Sequence, residues 1–143
     1  MTSNVVAGRR AGSRLLALVI LELTAATALI HFSLGSTIFL LNGLGYSALG
    51  LAYAAVVFGP AQLVSRVRWL PRLGLAAFAL TTIGAYLVIG PYFSLGWATK
   101  AIEVAIVGLV LFDLLDIYGP ADRVRTAGKP FADEIGGRGG SNA

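Results

Sequence analysis

Seven side chains with ionisable or hydrogen-bonding tips stand out against an apolar sequence: Glu22, His31, Asn42, Tyr46, Tyr86, Lys100 and Glu103. Carboxylates at 22 and 103 could carry a proton or hold a cation. Lys100 could pair with a carboxylate, and His31 is expected to make a hydrogen bond near the membrane edge. Asn42 and the two phenols could orient a small polar solute. The densest stretch is "KAIEVAIVGLVLFDLLDIYG", residues 100–119, with Lys100, Glu103, Asp113 and Asp116 in or beside one apolar run. Lys100 and Glu103 are three apart, which puts them on one helical face and lets them pair. For Asp113 the expected partner is Arg123 or Arg125, or a proton of its own; Asp116 is expected to reach water at the run's end. Other chemistries lack their residues. There is no cysteine and only one histidine, so thiolate nucleophiles, iron–sulfur clusters, cysteine-ligated zinc and a bis-histidine haem are excluded within one chain. No phosphate-binding loop, dinucleotide fingerprint or hydrolase elbow is present. The expectation is a non-enzymatic protein with no cofactor and no metal.

The elements that must hold these groups follow from composition. Hydrophobic residues make up 57% of the 143 and charged ones 13%, against roughly 25% charged in a soluble domain. Mean hydropathy is +0.80. Lipid is therefore the expected outer solvent. The net charge of +4 does not point to nucleic acid, because the basic residues border the apolar runs rather than forming a patch. Four runs are long enough to cross a bilayer core, which takes about 20 residues each: 14–33, 36–58, 73–90 and 96–118. Gly59-Pro60, Gly90-Pro91 and Gly119-Pro120 follow the last three, with glycine suited to a left-handed helix end and proline unable to continue. Ser36 and Ser94 are available as N-caps. The expected fold class is all-α: an integral membrane four-helix bundle of two antiparallel hairpins over 14–118. A tail at 1–13 precedes it, and a flexible Gly-rich tail at 119–143 follows.

Orientation comes from charge. Arg9, Arg10 and Arg14 precede the first run, Arg66, Arg68 and Arg72 separate the second and third, and Arg123, Arg125, Lys129 and Arg138 follow the fourth. The two other connections carry no charge. Basic loops stay on the cytoplasmic side, so both termini are expected inside, in the plasma membrane. Trp69 and Trp97 fall at opposite interfaces. A cleaved signal peptide is the rival reading of the first run, disfavoured by its length, by Glu22 and by the immediate start of a second run.

Two stripes of small residues run along the second helix: Gly43, Ser47, Gly50 and Ala54, and Gly45, Ala48, Ala52 and Ala55. Small residues let membrane helices approach closely, which marks this helix as central, with two neighbours. Counting 1.5 Å per residue, Glu22 lies within about 2 Å of mid-membrane, while His31, Asn42, Tyr86, Lys100 and Glu103 fall about 6–11 Å to the outer side. All four helices contribute to that layer. If it points inward it forms a pocket open to the outside, with Glu22, Tyr46 and Thr81 or Thr82 beneath. The alternative is interhelical hydrogen bonding with Lys100 snorkelling to the surface.

"HFSLGSTIFLLNGLGY" (31–46) and "LGWATKAIEVAIV" (95–107) resemble a group of small prokaryotic four-span membrane proteins that share an H-x-x-x-G hairpin, an F-L-L-N-G-L-G-Y-like second helix and a D-K-x-x-E/Q-like start to the fourth. His31, Gly35, Asn42, Gly43, Gly45, Tyr46, Lys100 and Glu103 match. Thr99 departs from the acidic residue expected before the lysine. The resemblance implies a fold and no activity. "ILELTAATALIHFS" (20–33) is similar to the first helix of small multidrug-resistance exporters, which would make Glu22 a proton-coupled carboxylate. The third helix lacks their aromatic–glycine pattern. The leading expectation is an accessory or scaffold subunit packed in a homo-oligomer or larger membrane complex; the alternatives are an ion, proton or solute transporter using the polar layer with Glu22 and Glu103, and a redox subunit binding a quinone-like ligand near His31.

Overall fold

A computed structural model describes residues 2–60 and 67–118, with side chains from 12 to 60 and 67 to 117. The described chain is all-α, with four helices: α1 Thr2–Ser33, α2 Thr37–Phe58, α3 Trp69–Ile89 and α4 Ser94–Tyr118. Three are long and apolar enough to cross a membrane, over Gly12–Ser33, Thr37–Phe58 and Trp69–Ile89. The chain divides into compact units at 1–113 and 114–143. The polar groups of interest belong to the first; the expected tail 119–143, with Arg123, Arg125 and Gly119-Pro120, lies outside the described residues.

The boundaries differ from the expected ones for physical reasons. Helix α1 begins at Thr2, so most of the expected tail 1–13 is helical. Helix α3 begins at Trp69, not 73. Pro71 tolerates this because a first-turn residue needs no backbone donor, and Arg72 becomes a helical residue rather than a loop one. Ser36 occupies the N-cap of α2 with extended backbone, yet its hydroxyl makes no cap bond. Ser94 is the first residue of α4 rather than its cap. Neither described Gly-Pro glycine is left-handed: Gly59 has φ −76° and ψ 172°, and Gly90 has φ −72° and ψ 151°. The following proline forces this, since its ring clashes with a helical predecessor and drives it to extended backbone. Positive φ falls instead at Gly35 (70°) and at Tyr92 (46°), one in each short connection.

Each helix buries one narrow stripe. On α1 it runs Ala17, Ile20, Thr24, Thr27, Ala28, His31; on α2, Gly43, Tyr46, Gly50, Tyr53, Val56; on α3, Arg72, Leu75, Ala76, Ala79, Thr82, Tyr86; on α4, Thr99, Lys100, Glu103, Ile106, Val110, Asp113. The spacings of three and four are those of one helical face. Helix α2 packs against both α1 and α3. Of its expected stripes, the first does face α1: a Cβ at Gly43 would strike the Phe32 ring, and one at Gly50 would sit 3.1 Å from Thr24 Cγ2. The second does not hold together. Gly45 admits the Phe78 ring of α3, whereas Ala48, Ala52 and Ala55 are exposed. The outer surfaces are aliphatic, with Leu29, Leu51, Val88 and Ile89 each more than two-thirds exposed.

Candidate ligand chamber

The buried stripe of α4 answers why an apolar run carries charge. Lys100, Glu103 and Asp113 all lie on it, facing the other helices, while Asp116 is exposed. Glu103 is completely buried, and its environment is assembled from all four helices. Lys100 Nζ donates to Glu103 Oε2 at 2.5 Å, one turn along the same helix. Thr82 of α3 donates to the same oxygen at 2.9 Å. Tyr46 of α2 lies 2.9 Å from Thr82 Oγ1, so a relay from the phenol through the threonine hydroxyl ends on the carboxylate. From α1, His31 brings Nε2 to 3.8 Å from Glu103 Oε1.

The histidine contact has a proton count of its own. His31 Nδ1 lies 2.8 Å from the Thr27 carbonyl; a carbonyl only accepts, so Nδ1 carries hydrogen. With the ring neutral, Nε2 is then a lone pair pointing toward Glu103 Oε1, which has no hydrogen-bond partner. At 3.8 Å this is not a hydrogen bond. One added proton, or one bridging donor, converts two facing acceptors into an attractive pair.

Beside this cluster lies a cavity of about 120 Å³. His31, Asn42, Thr82, Tyr86, Thr99 and Lys100 supply its polar lining. Its remaining walls are apolar and include Leu34, Gly90, Pro91 and Phe93, which places it at the end of the helices joined by the two short connections. Asn42 is half-buried and has no protein hydrogen-bond partner among the described residues. Lys100 sits 5.5 Å from the centre of the Tyr86 ring, a cation–π distance. Tyr86 itself is fixed by its hydroxyl, which donates to the Phe93 carbonyl at 3.2 Å, and by edge contacts with Tyr92 and Trp97. Gly96 is small because a Cβ there would enter the Tyr86 ring.

Six of the seven singled-out residues thus meet: His31, Asn42, Tyr46, Tyr86, Lys100 and Glu103. Glu22 does not. It lies on the exposed face of α1, in line with Leu15, Leu18 and Leu29, and corrects the expectation of a carboxylate beneath the pocket. Thr82 takes part, while Thr81 is exposed and donates to its own helix at Ala77 O. A second buried cluster had no counterpart among the expected sites. Arg72 Nε donates to Asp113 Oδ2 at 2.7 Å, Tyr53 donates to the same oxygen at 2.8 Å, and the guanidinium lies 5.2 Å from the Tyr53 ring centre. Asp113 meets Arg72; the expected partners Arg123 and Arg125 lie outside the described residues. Its only sequence signal was an Asp and an Arg near the same end of consecutive apolar runs.

Among the described residues, no group of three or more His, Asp or Glu side chains is placed to hold a metal ion. No protein-family model, curated protein or solved structure matches the chain. The chamber is read on its own chemistry.

Proposed function

We propose that this chain is a four-span integral membrane protein of the plasma membrane, a bundle of two antiparallel hairpins with both termini cytoplasmic, and that it is a small carrier. Its solute binds in the chamber between the outer ends of the helices. The observation that supports this most is the charged cluster beside the chamber, which shares His31, Thr82 and Lys100 with the chamber lining. Glu103, fully buried, has one oxygen saturated by Lys100 and Thr82 and the other unpartnered beside His31. A buried carboxylate oxygen without a protein partner costs about 1–3 kcal/mol or more and so calls for a donor from outside the described protein groups. A site that exchanges protons or polar ligands needs free capacity of this kind. Charged groups inside a membrane core are otherwise rare because insertion there costs about 2.5–3.5 kcal/mol each. The test is a thermal-unfolding panel on the detergent-purified protein, followed by tryptophan fluorescence. Small carboxylates, amines, amides and sugars would each be added to wild type, Lys100→Ala and Glu103→Gln. One solute class should raise the wild-type transition and drive uptake into proteoliposomes; Lys100→Ala should lose both responses, and Glu103→Gln should keep the binding response and lose the uptake. A wild type indifferent to every class sinks the reading.

A second reading, an accessory subunit that packs with other membrane helices, is favoured by Glu22. A carboxyl group amid an exposed leucine stripe near mid-span is costly against lipid and calls for a cover.

A further inference from the structure

Resting on the chamber reading, the geometry points to a more specific ligand: we propose that the chamber takes a small organic monocarboxylate and binds it together with one proton, held between His31 and Glu103. The donors come first. An ammonium has three N–H bonds; Lys100, a residue of the cavity lining, gives one to Glu103 Oε2 and keeps two for a ligand. The unpartnered Asn42 amide lines the same space and adds two more N–H bonds. N–H donors from two residues of one lining, one of them a positive centre, suit a carboxylate oxygen pair. A cation would instead face the Lys100 ammonium and find Glu103 Oε2 occupied.

Size and wall chemistry narrow the choice. Ile38, Phe39, Ile89 and Phe93 give the cavity an aliphatic and aromatic wall, which favours an organic anion over chloride or nitrate. The 120 Å³ volume is slightly below the roughly 150 Å³ of an engineered apolar cavity that accepts benzene, so the match is an acid of about four to six carbons.

Charge balance supplies the proton. Lys100 and Glu103 cancel, so a bound monoanion would leave one uncompensated negative charge in a buried site, a strongly unfavourable state. The titratable groups around it are His31 from α1, Tyr46 from α2, Tyr86 from α3, and Lys100 and Glu103 from α4. Of these, only the facing Nε2 and Oε1 atoms, 3.8 Å apart with neither bonded to protein, gain a favourable contact by taking up a proton. A proton there restores neutrality and closes the gap. A dianion such as phosphate would need two, and the site has one such place.

The experiment is titration calorimetry of the purified, detergent-solubilised full chain with sodium butyrate, run at one pH in phosphate and in Tris. The two buffers differ in ionisation heat, so the difference in apparent enthalpy counts protons. One butyrate should bind with uptake of about one proton. Neutral butyramide should bind about tenfold more weakly or worse, the scale of a lost charge-assisted hydrogen bond, as should butyrate to Lys100→Met. Glu103→Gln removes the charge that opposes the anion, so it should bind butyrate at least as well as wild type and without proton uptake. That result would not follow from a structural role, and His31→Gln, also expected to lose the uptake, serves if Glu103→Gln does not fold. Butyramide binding as well as butyrate, or butyrate binding with no proton, overturns the anion assignment and leaves the chamber standing. Failure of both to bind, with no solute of the wider panel acting either, overturns the chamber as well. A series from acetate to decanoate separates the sources of the same chemistry. Affinity that levels once the cavity is full indicates a soluble acid, and affinity that climbs throughout indicates a membrane-borne fatty acid.

Discussion

Two buried ion pairs share helix α4, and their residues differ in what they were asked to do. Lys100–Glu103 is local to one helix and leaves an oxygen free. Arg72–Asp113 joins α3 to α4, with Tyr53 of α2 adding a third bond to the same oxygen. Its guanidinium also donates through Nη1 to the Arg68 carbonyl at 2.6 Å. This second cluster has the character of a staple. Removing one member of such a pair leaves an uncompensated buried charge and costs about 3–5 kcal/mol, whereas replacing both by apolar residues of similar volume is often neutral. Asp113→Leu alone should therefore lower the thermal transition of the purified protein sharply. The double variant Asp113→Leu with Arg72→Met should recover most of the loss, leaving the tyrosine hydroxyl as the residual cost. If the double variant is as unstable as the single one, the pair does more than hold helices. The same comparison shows what was legible. Lys100 and Glu103 could be paired from spacing alone, because helical geometry sets their neighbourhood. Arg72 and Asp113 are 41 residues apart, and Arg72 looked like a loop arginine marking topology.

At the scale of elements, helix existence was written in the apolar runs, and helix faces were not. Over residues 15–30 of α1 only Glu22, Thr24 and Thr27 are polar, so no polar side marks the outside, as it does in a helix of a soluble protein. That is why Glu22 was expected to point inward. The residues that decide the face are small or aromatic ones whose role is steric: Gly43 against Phe32, Gly45 against Phe78, Gly96 against Tyr86. Single-chain patterns show that such residues are small, not which neighbour requires it. The misread second stripe of α2 is the clearest case, since Ala48 and Ala52 share the spacing of packed residues but face outward. On α1, the exposed line Leu15, Leu18, Glu22, Leu29 makes an element-scale prediction for the assembly reading. With no native cysteine in the chain, Leu18→Cys and Leu29→Cys can be cross-linked in native membranes without background. Adducts at these two positions that disappear in Glu22→Leu would show that the carboxyl group is covered by another helix and selects it. Undiminished adducts in Glu22→Leu would reduce the face to ordinary lipid contact, and absence of any adduct would do the same.

The chain as a whole has a sidedness that the proposed function depends on. Chamber-lining Leu34 and Pro91 belong to the two uncharged connections, while Arg68 and Arg72 lie at the opposite helix ends. Aromatic rings mark both limits, Trp97 with Tyr92 at the chamber end and Trp69 at the arginine end, all about half exposed as interfacial rings are. Under the proposed orientation, with basic segments kept in the cytoplasm, the chamber faces the outer side, where a solute reaches it without passing the Arg72–Asp113 staple. Single cysteines test this directly. Ser36 and Ser94 are exposed at the chamber end, and Gly12 and Val67 are exposed toward the other. A membrane-impermeant maleimide applied to intact cells should label Ser36→Cys and Ser94→Cys, and should label Gly12→Cys and Val67→Cys only after the membrane is broken. Labelling of Ser36→Cys and Ser94→Cys from opposite sides would remove one of the two spans between them, α2 or α3. Uniform labelling in the reverse sense would turn the chamber toward the cytoplasm, and the proton that accompanies its ligand would then be drawn from the cell's interior.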